Sequence, residues 1–261
     1  MKRYDGYLID LDGTLFRGDQ VLPGAHSFIK ELQRQQIPYL FITNNSSRTP
    51  KWIARKMTRL GFEVSPTQIL TSAQATASYI AAHYEQPAVL AIGEEGLLNA
   101  LKQAGCFLVN KSPEIVVVVL DRRFTYEKMT AACSAIAKGA RFIGTNPDRA
   151  LPTETGLAPG SGSLIAAIAT ATDCEPFFIG KPESPILDVA FEQLEVEPKN
   201  TLIVGDNLVT DILAGENYGV DTLLLLTGIT TLEEAKASPI RPTYIRSDLY
   251  QWLSDITPKK L

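Results

Sequence analysis

Short apolar runs, each closing on a carboxylate, an amide, a hydroxyl or a lysine, alternate with amphipathic stretches along most of this chain. Strand signals interleaved with helix signals imply a parallel sheet wrapped in helices, an α/β fold. The first run, Tyr4 to Ile9, predicts a buried strand that stops at Asp10, with Asp12-Gly13 making the turn. Side chains alternate along a strand, so Asp10 and Asp12 are expected to project the same way if the extension persists. Two carboxylates this close repel unless a cation or a proton sits between them. An Asp-Gly turn accounts for Asp12-Gly13 alone. It leaves unexplained a charge at the inner end of an apolar strand.

The pattern falls into three blocks. In the first, Ala25, Phe28, Ile29 and Leu32 lie on one helical face, and a strand over 38–42 ends in Thr43-Asn44-Asn45. Thr49-Pro50 opens a helix that Gly61 stops, and a brief strand at 68–70 leads to a helix from Ser72. The second block begins near Gln86-Pro87, with strands at 88–92, 115–120 and 141–144 and helices between them, one capped by Thr125. Residues 151–162, rich in Pro, Gly and Thr, read as a loop before a small-residue helix over 163–172. The third block has a strand at 176–179, a helix capped by Ser184-Pro185, and strands at 201–204 and 221–226. Blocks one and three read as one discontinuous domain, residues 1–84 and 176–261, with residues 85–175 inserted into it.

Composition narrows the function classes. With 261 residues and 45% hydrophobic content, the chain can build a sizeable core. A net charge of −4 argues against a protein that coats nucleic acid or anionic lipid, so an anionic ligand has to be held by local groups. Cys106, Cys133 and Cys174 form no metal-binding spacing, and His26 and His83 sit in helical stretches without a nucleophile partner. The N-terminus enters a strand directly, and the longest apolar runs, 115–120 and 222–226, are too short to span a bilayer. The expected protein is soluble and cytoplasmic, with no nucleic-acid or membrane partner.

Chemistry-bearing residues close four of the strands: Asp10 with Asp12, Thr43 with Asn44, Lys181, and Asp206 with Asp211. In an open parallel sheet, ligands bind outside the carboxyl ends of the strands, where the winding reverses. If the chain winds outward from its first strand and back the other way after the insertion, the strand at 201–204 lies beside the first. Asp206 then faces Asp10. Three acidic oxygens about one point describe a hard-cation site, and few protein ligands with room for water favour Mg2+ over Ca2+. Each piece alone has a plainer reading: a solvated turn lysine at Lys181, or capping and first-turn charges at Asp206 and Asp211. Their joint occurrence, in this order and at strand ends, does not.

Asp10-Leu11-Asp12-Gly13-Thr14-Leu15, Thr43-Asn44, Gly180-Lys181-Pro182 and Gly205-Asp206-Asn207 through Asp211 resemble the four motifs of the haloacid dehalogenase (HAD) superfamily. Leu120-Asp121-Arg122, Thr145-Asn146-Pro147-Asp148 and Leu157-Ala158-Pro159-Gly160 are similar to the wording of its NagD-like, p-nitrophenylphosphatase-type branch, although Leu120 stands where many members have Gly. One turn and one helix separate Asp12 from Thr43, whereas more than half the chain lies between Thr43 and Lys181. That places the insertion where C2-capped members carry an α/β cap.

The resemblance implies a doubly wound, Rossmann-like core with an inserted cap, and Mg2+-dependent hydrolysis of phosphate monoesters through an aspartyl-phosphate. It implies Asp10 as nucleophile and metal ligand, and Asp12 as general acid and base whose backbone carbonyl touches the metal. Asp206 is the further metal ligand, with Asp211 behind it. Thr43 and the Asn44 N–H grip the phosphoryl group, and Lys181 neutralises charge. Asp121, Arg122, Asn146 and Asp148 are the cap candidates for choosing the leaving group. The expected partners are small phosphorylated metabolites such as sugar phosphates and nucleoside monophosphates, and the likeness allows a homodimer. The alternatives are a phosphomutase or phosphotransferase on the same core, which cap placement disfavours, and a non-catalytic phosphoacceptor or metabolite-binding module, which would have no use for Asp12.

Overall fold

A computed structural model describes residues 2–153 and 156–256. The chain divides into two compact units, one made of Met1–Thr43, Lys51–Leu70 and Lys181–Leu261, the other of Asn44–Pro50 and Thr71–Gly180.

The first unit is built on a six-stranded sheet in the order Tyr244–Arg246, Asp221–Leu225, Thr201–Gly205, Gly6–Ile9, Tyr39–Thr43, Ile69–Thr71. Gly6–Ile9 runs parallel to both neighbours, with Ile9 opposite Val204 on one side and Phe41 on the other. The winding reverses at this strand, so the segments that follow Ile9 and Gly205 leave the sheet side by side. The central strands are buried along their whole length, as a parallel sheet covered on both faces requires. Helix Ala25–Gln35 turns Ala25, Phe28, Ile29 and Leu32 inward, the face its periodicity predicts. Helix Pro50–Arg59 starts on a proline, whose missing N–H costs nothing in a first turn, and buries Ile53, Ala54 and Met57.

The second unit carries its own parallel sheet, in the order Phe177–Phe178, Arg141–Gly144, Ile115–Val118, Ala88–Ile92, Phe107–Leu108. Its core gathers Leu90, Ile92, Val116, Val118, Ile136, Phe142, Ile165 and Ile168. The helix over Tyr126–Ala137 opens on Thr125, whose hydroxyl accepts the Lys128 N–H at 3.3 Å.

Three details differ from the sequence reading. Helix Ser72–His83 and strand Phe177–Phe178 fall within the second unit, where Phe177 pairs with Ile143 and Phe178 with Gly144, whereas the boundaries read from sequence lay at 84/85 and 175/176. A two-residue apolar strand carries no local mark of which sheet will take it. Second, the stretch read as a loop over 151–162 contains an antiparallel ribbon, Ala150–Thr153 with Gly156–Pro159. Proline is tolerated there because a two-stranded ribbon has only edges. Third, Ser184 is the first residue of its helix, and the cap position falls on Glu183, which makes no side-chain cap hydrogen bond.

Ile203 is fully buried on the strand that holds Asp206 and pairs with Leu8. Ile203→Ala is expected to remove about 2–5 kcal/mol of stability, read as a lower urea midpoint of the first unit's unfolding.

Candidate active site

The chain turns sharply after Ile9. Gly13 adopts φ +89°, and the backbone loops back so that its N–H donates to the Phe16 carbonyl at 2.8 Å. This turn separates the two aspartates that an extended chain would have kept parallel. Asp10 is buried, whereas the Asp12 side chain is 62% exposed and lies 3.9 Å from the Lys56 ammonium.

Around Asp10 the first unit assembles a charged cluster. The Lys181 ammonium donates to Asp10 Oδ1 and to Asp211 Oδ1, each at 2.6 Å, and to the Ile42 carbonyl at 3.3 Å. Asp211 Oδ2 accepts the Asn207 N–H at 3.2 Å, and Asp206 Oδ2 accepts the Ile229 N–H at 2.7 Å. The remaining oxygens, Asp10 Oδ2 and Asp206 Oδ1, each lie 3.5 Å from the Thr14 hydroxyl. Asp10, Asp206 and Asp211 offer carboxylate oxygens within 4.8 Å of one another.

Three carboxylates facing one ammonium leave an excess of two negative charges in a buried place, which a divalent cation would offset. Both open oxygens are hard, anionic donors of the kind Mg2+ takes, so the donor set fits that ion. Asp211 has both its oxygens engaged already, which suits a group that stands behind the ligands.

The charge states follow from this packing. Burial pushes the Asp10 carboxyl well above the carboxylate range; Lys181 pulls it back, and Asp211 and Asp206 push it further up. Asp206 is raised to about 6 by burial and then by Asp211, against the pull of the Ile229 N–H and Lys181. Burial opposes the charge on Lys181, yet Asp10 and Asp211 hold its ammonium above the ordinary lysine value. Asp12 is also raised, through loss of hydration to the surrounding protein, against the pull of Lys56 and Lys181.

Sequence reasoning missed the loop that cradles Asp206. Beyond strand Asp221–Leu225, Gly228 packs so tightly on Asp206 that a Cβ there would overlap the carboxylate. The Thr227 hydroxyl donates to the Gly13 carbonyl at 2.7 Å, and the Thr230 N–H to the Asp206 carbonyl at 3.2 Å. The available signal was a Thr-Gly pair closing a fifth apolar strand, the same grammar as at the other four sites.

The other sequence candidates separate into two groups. Thr43 is buried at the end of its strand in the first unit. Asn44, the next residue, belongs to the second unit. Its carbonyl accepts from the Asn146 amide at 3.0 Å and the Ser72 hydroxyl at 2.9 Å, and its own amide donates to Asp148 at 3.3 Å. Asn146 and Asp148 therefore fix Asn44. Asp121 is buried beneath Lys128, at 2.6 Å, and Arg122 forms a two-point ion pair with Glu94. Asp121 and Arg122 line a cavity of about 890 Å3 in the second unit, with Arg48, Arg123, Lys102 and Glu95.

Gly228→Ala is expected to displace the Asp206 carboxylate and weaken divalent-cation affinity by about 10–100-fold. Calorimetric titration with Mg2+ reads the loss, and an unchanged far-ultraviolet circular dichroism spectrum separates it from misfolding.

Known proteins are similar to this chain along nearly all of its length. Residues 7–107 match the haloacid dehalogenase-like hydrolase family, and residues 178–252 match the HAD-hydrolase-like family. The 5'-nucleotidase YutF of Bacillus subtilis is 45% identical over 97% of this chain and 99% of its own length. The acid sugar phosphatase of Staphylococcus haemolyticus is 42% identical over 98% of both chains. The crystal structure of a single mutant of the thermostable NPPase from Geobacillus stearothermophilus superposes with a TM-score of 0.91 at 47% identity, covering 97% of this chain and 99% of that one. Among the described residues no helix is long and apolar enough to cross a membrane. The chain belongs to the haloacid dehalogenase-like hydrolases, in their NagD-like, p-nitrophenylphosphatase-type branch of phosphatases.

Proposed function

We propose that this protein is a Mg2+-dependent phosphate-monoester hydrolase that works through an aspartyl-phosphate on Asp10. One observation carries the reading: a buried lysine bonded to Asp10 and Asp211, with Asp10 Oδ2 and Asp206 Oδ1 left open toward the Thr14 hydroxyl. A carboxylate buried beside other carboxylates tends to hold its proton, and the Lys181 ammonium draws Asp10 back toward the anion that attacks.

In the first half-reaction an Asp10 oxygen forms a bond to phosphorus as the bond from phosphorus to the leaving oxygen breaks. Asp12 gives that oxygen its proton. In the second, Asp12 takes a proton from water, whose oxygen bonds phosphorus as the Asp10–phosphorus bond breaks, releasing phosphate. Asp12 suits both tasks, because its side chain stands in the open and its carboxyl is raised above the ordinary carboxylate range. Thr43 and the Asn44 N–H bind the phosphoryl oxygens, and Lys181 offsets the charge that gathers as they close on Asp10. Asp10, Asp206 and the Asp12 carbonyl would hold Mg2+, with Asp211 steadying its water. The ion supplies charge neutralisation at the phosphoryl group. A passive phosphoacceptor would need Asp10 and the metal but no acid at Asp12.

Of the cap candidates, Asn146 and Asp148 act on Asn44, and Asp121 anchors Lys128. Arg122, paired with Glu94, remains the cap candidate for choosing the leaving group. The mix of Arg, Lys and Glu along its cavity supports polar leaving groups such as sugars and nucleosides. The names of the relatives, a 5'-nucleotidase and an acid sugar phosphatase, fall in that range.

The direct test is turnover of p-nitrophenyl phosphate with and without Mg2+. Asp10→Asn is expected to abolish it, and Lys181→Met to reduce kcat on the order of 10²–10³-fold. Metal-independent turnover that survives Asp10→Asn would sink the mechanism. A second test uses stability. Asp206 has a folded pKa of about 6, above its unfolded value, so its contribution is present below about pH 4 and lost as pH rises through 6. Without divalent cations, the melting temperature should therefore fall between pH 4 and about 7. Mg2+ should raise it more at pH 8 than at pH 5 in differential scanning fluorimetry.

A further inference from the structure

Helix Pro50–Arg59 turns a second, exposed face away from its core. Ile53, Ala54 and Met57 pack into the core, and Lys56 turns to Asp12 and lies 4.3 Å over the Phe16 ring. At about 100° per residue, Lys51, Arg55, Arg59 and Trp52 fall within about 100° of arc on the opposite side. There they line an open groove of about 610 Å3 together with Val64 and Pro66, and no acidic residue lines it among the described residues. Among the described residues Lys51, Arg55 and Arg59 form no ion pair, although the chain as a whole carries a net charge of −4.

Three like charges spaced one turn apart on a helix repel one another, so the arrangement is unfavourable until an anion joins it. Two guanidiniums supply the forked donors that suit phosphate oxygens, and a lysine adds a point charge. Trp52 adds a flat apolar surface, 39% exposed beside the cations, of the kind on which a nucleobase stacks. The volume lies within the range of small-ligand pockets.

We propose that this groove binds a nucleoside phosphate, its base against Trp52 and its phosphates on Lys51, Arg55 and Arg59. This site is separate from the Asp10 cluster, and the proposal stands whether or not the hydrolytic mechanism does.

The test is a fluorescence titration with an ADP analogue whose phosphorus atoms are bridged by methylene, with EDTA present. Hydrolysis cannot consume the probe, and no divalent cation is available to recruit it to the aspartates. The chain has two tryptophans, and Trp252 is fully buried, so a probe-dependent change reports Trp52. The expected result is saturable quenching, with a midpoint at least about tenfold higher in Arg55→Ala/Arg59→Ala. That double variant should keep wild-type turnover of p-nitrophenyl phosphate when no probe is present, and adenosine should quench far more weakly than the analogue. Quenching that never saturates, a midpoint equal in wild type and variant, or equal quenching by adenosine would overturn the proposal.

Discussion

The first unit depends on one buried ion triad. Lys181 is almost inaccessible to water, and it remains charged because Asp10 and Asp211 both lie 2.6 Å from its nitrogen. Taking an ammonium and two carboxylates out of water costs several kcal/mol per ion, which mutual attraction offsets only with close geometry and further hydrogen bonds. The Ile42 carbonyl and the Asn207 N–H supply those bonds. Loss of one partner would leave an uncompensated buried charge, so the triad also fixes where three separate chain segments must end.

The same triad sets apart four carboxylates that are identical in the free amino acid. Asp10 is drawn into an ion pair, Asp211 is engaged on both oxygens, Asp206 keeps one oxygen open, and Asp12 stands outside with a raised carboxyl. Environments that push acid groups apart are what acid–base chemistry near neutral pH requires. The device that creates the difference between Asp10 and Asp12 is the turn at Gly13, whose φ of +89° ends the extension between them.

The second unit contributes order of a different kind. Asn44 immediately follows a strand of the first unit but belongs to the second, where Ser72, Asn146 and Asp148 tie it. Residues that look like substrate contacts by position in the sequence thus act on a backbone carbonyl and an amide. Asp121 is similarly spent on Lys128, which leaves the chemistry of the large cavity to the cations around Arg122.

Sequence alone determined the alternating fold and the residues of the charged cluster, because strand ends are local events. An apolar run that stops at Asp10, Thr43, Lys181 or Asp206 states its own buried length and its exit. The inward face of helix Ala25–Gln35 was equally legible, since amphipathic periodicity is written into consecutive residues. Tertiary structure alone decided which sheet received Phe177–Phe178, that Gly228 would press on Asp206, and that Asn146 would hold Asn44. Each of these joins positions remote along the chain, and a short segment carries no record of the partner that packing will bring to it.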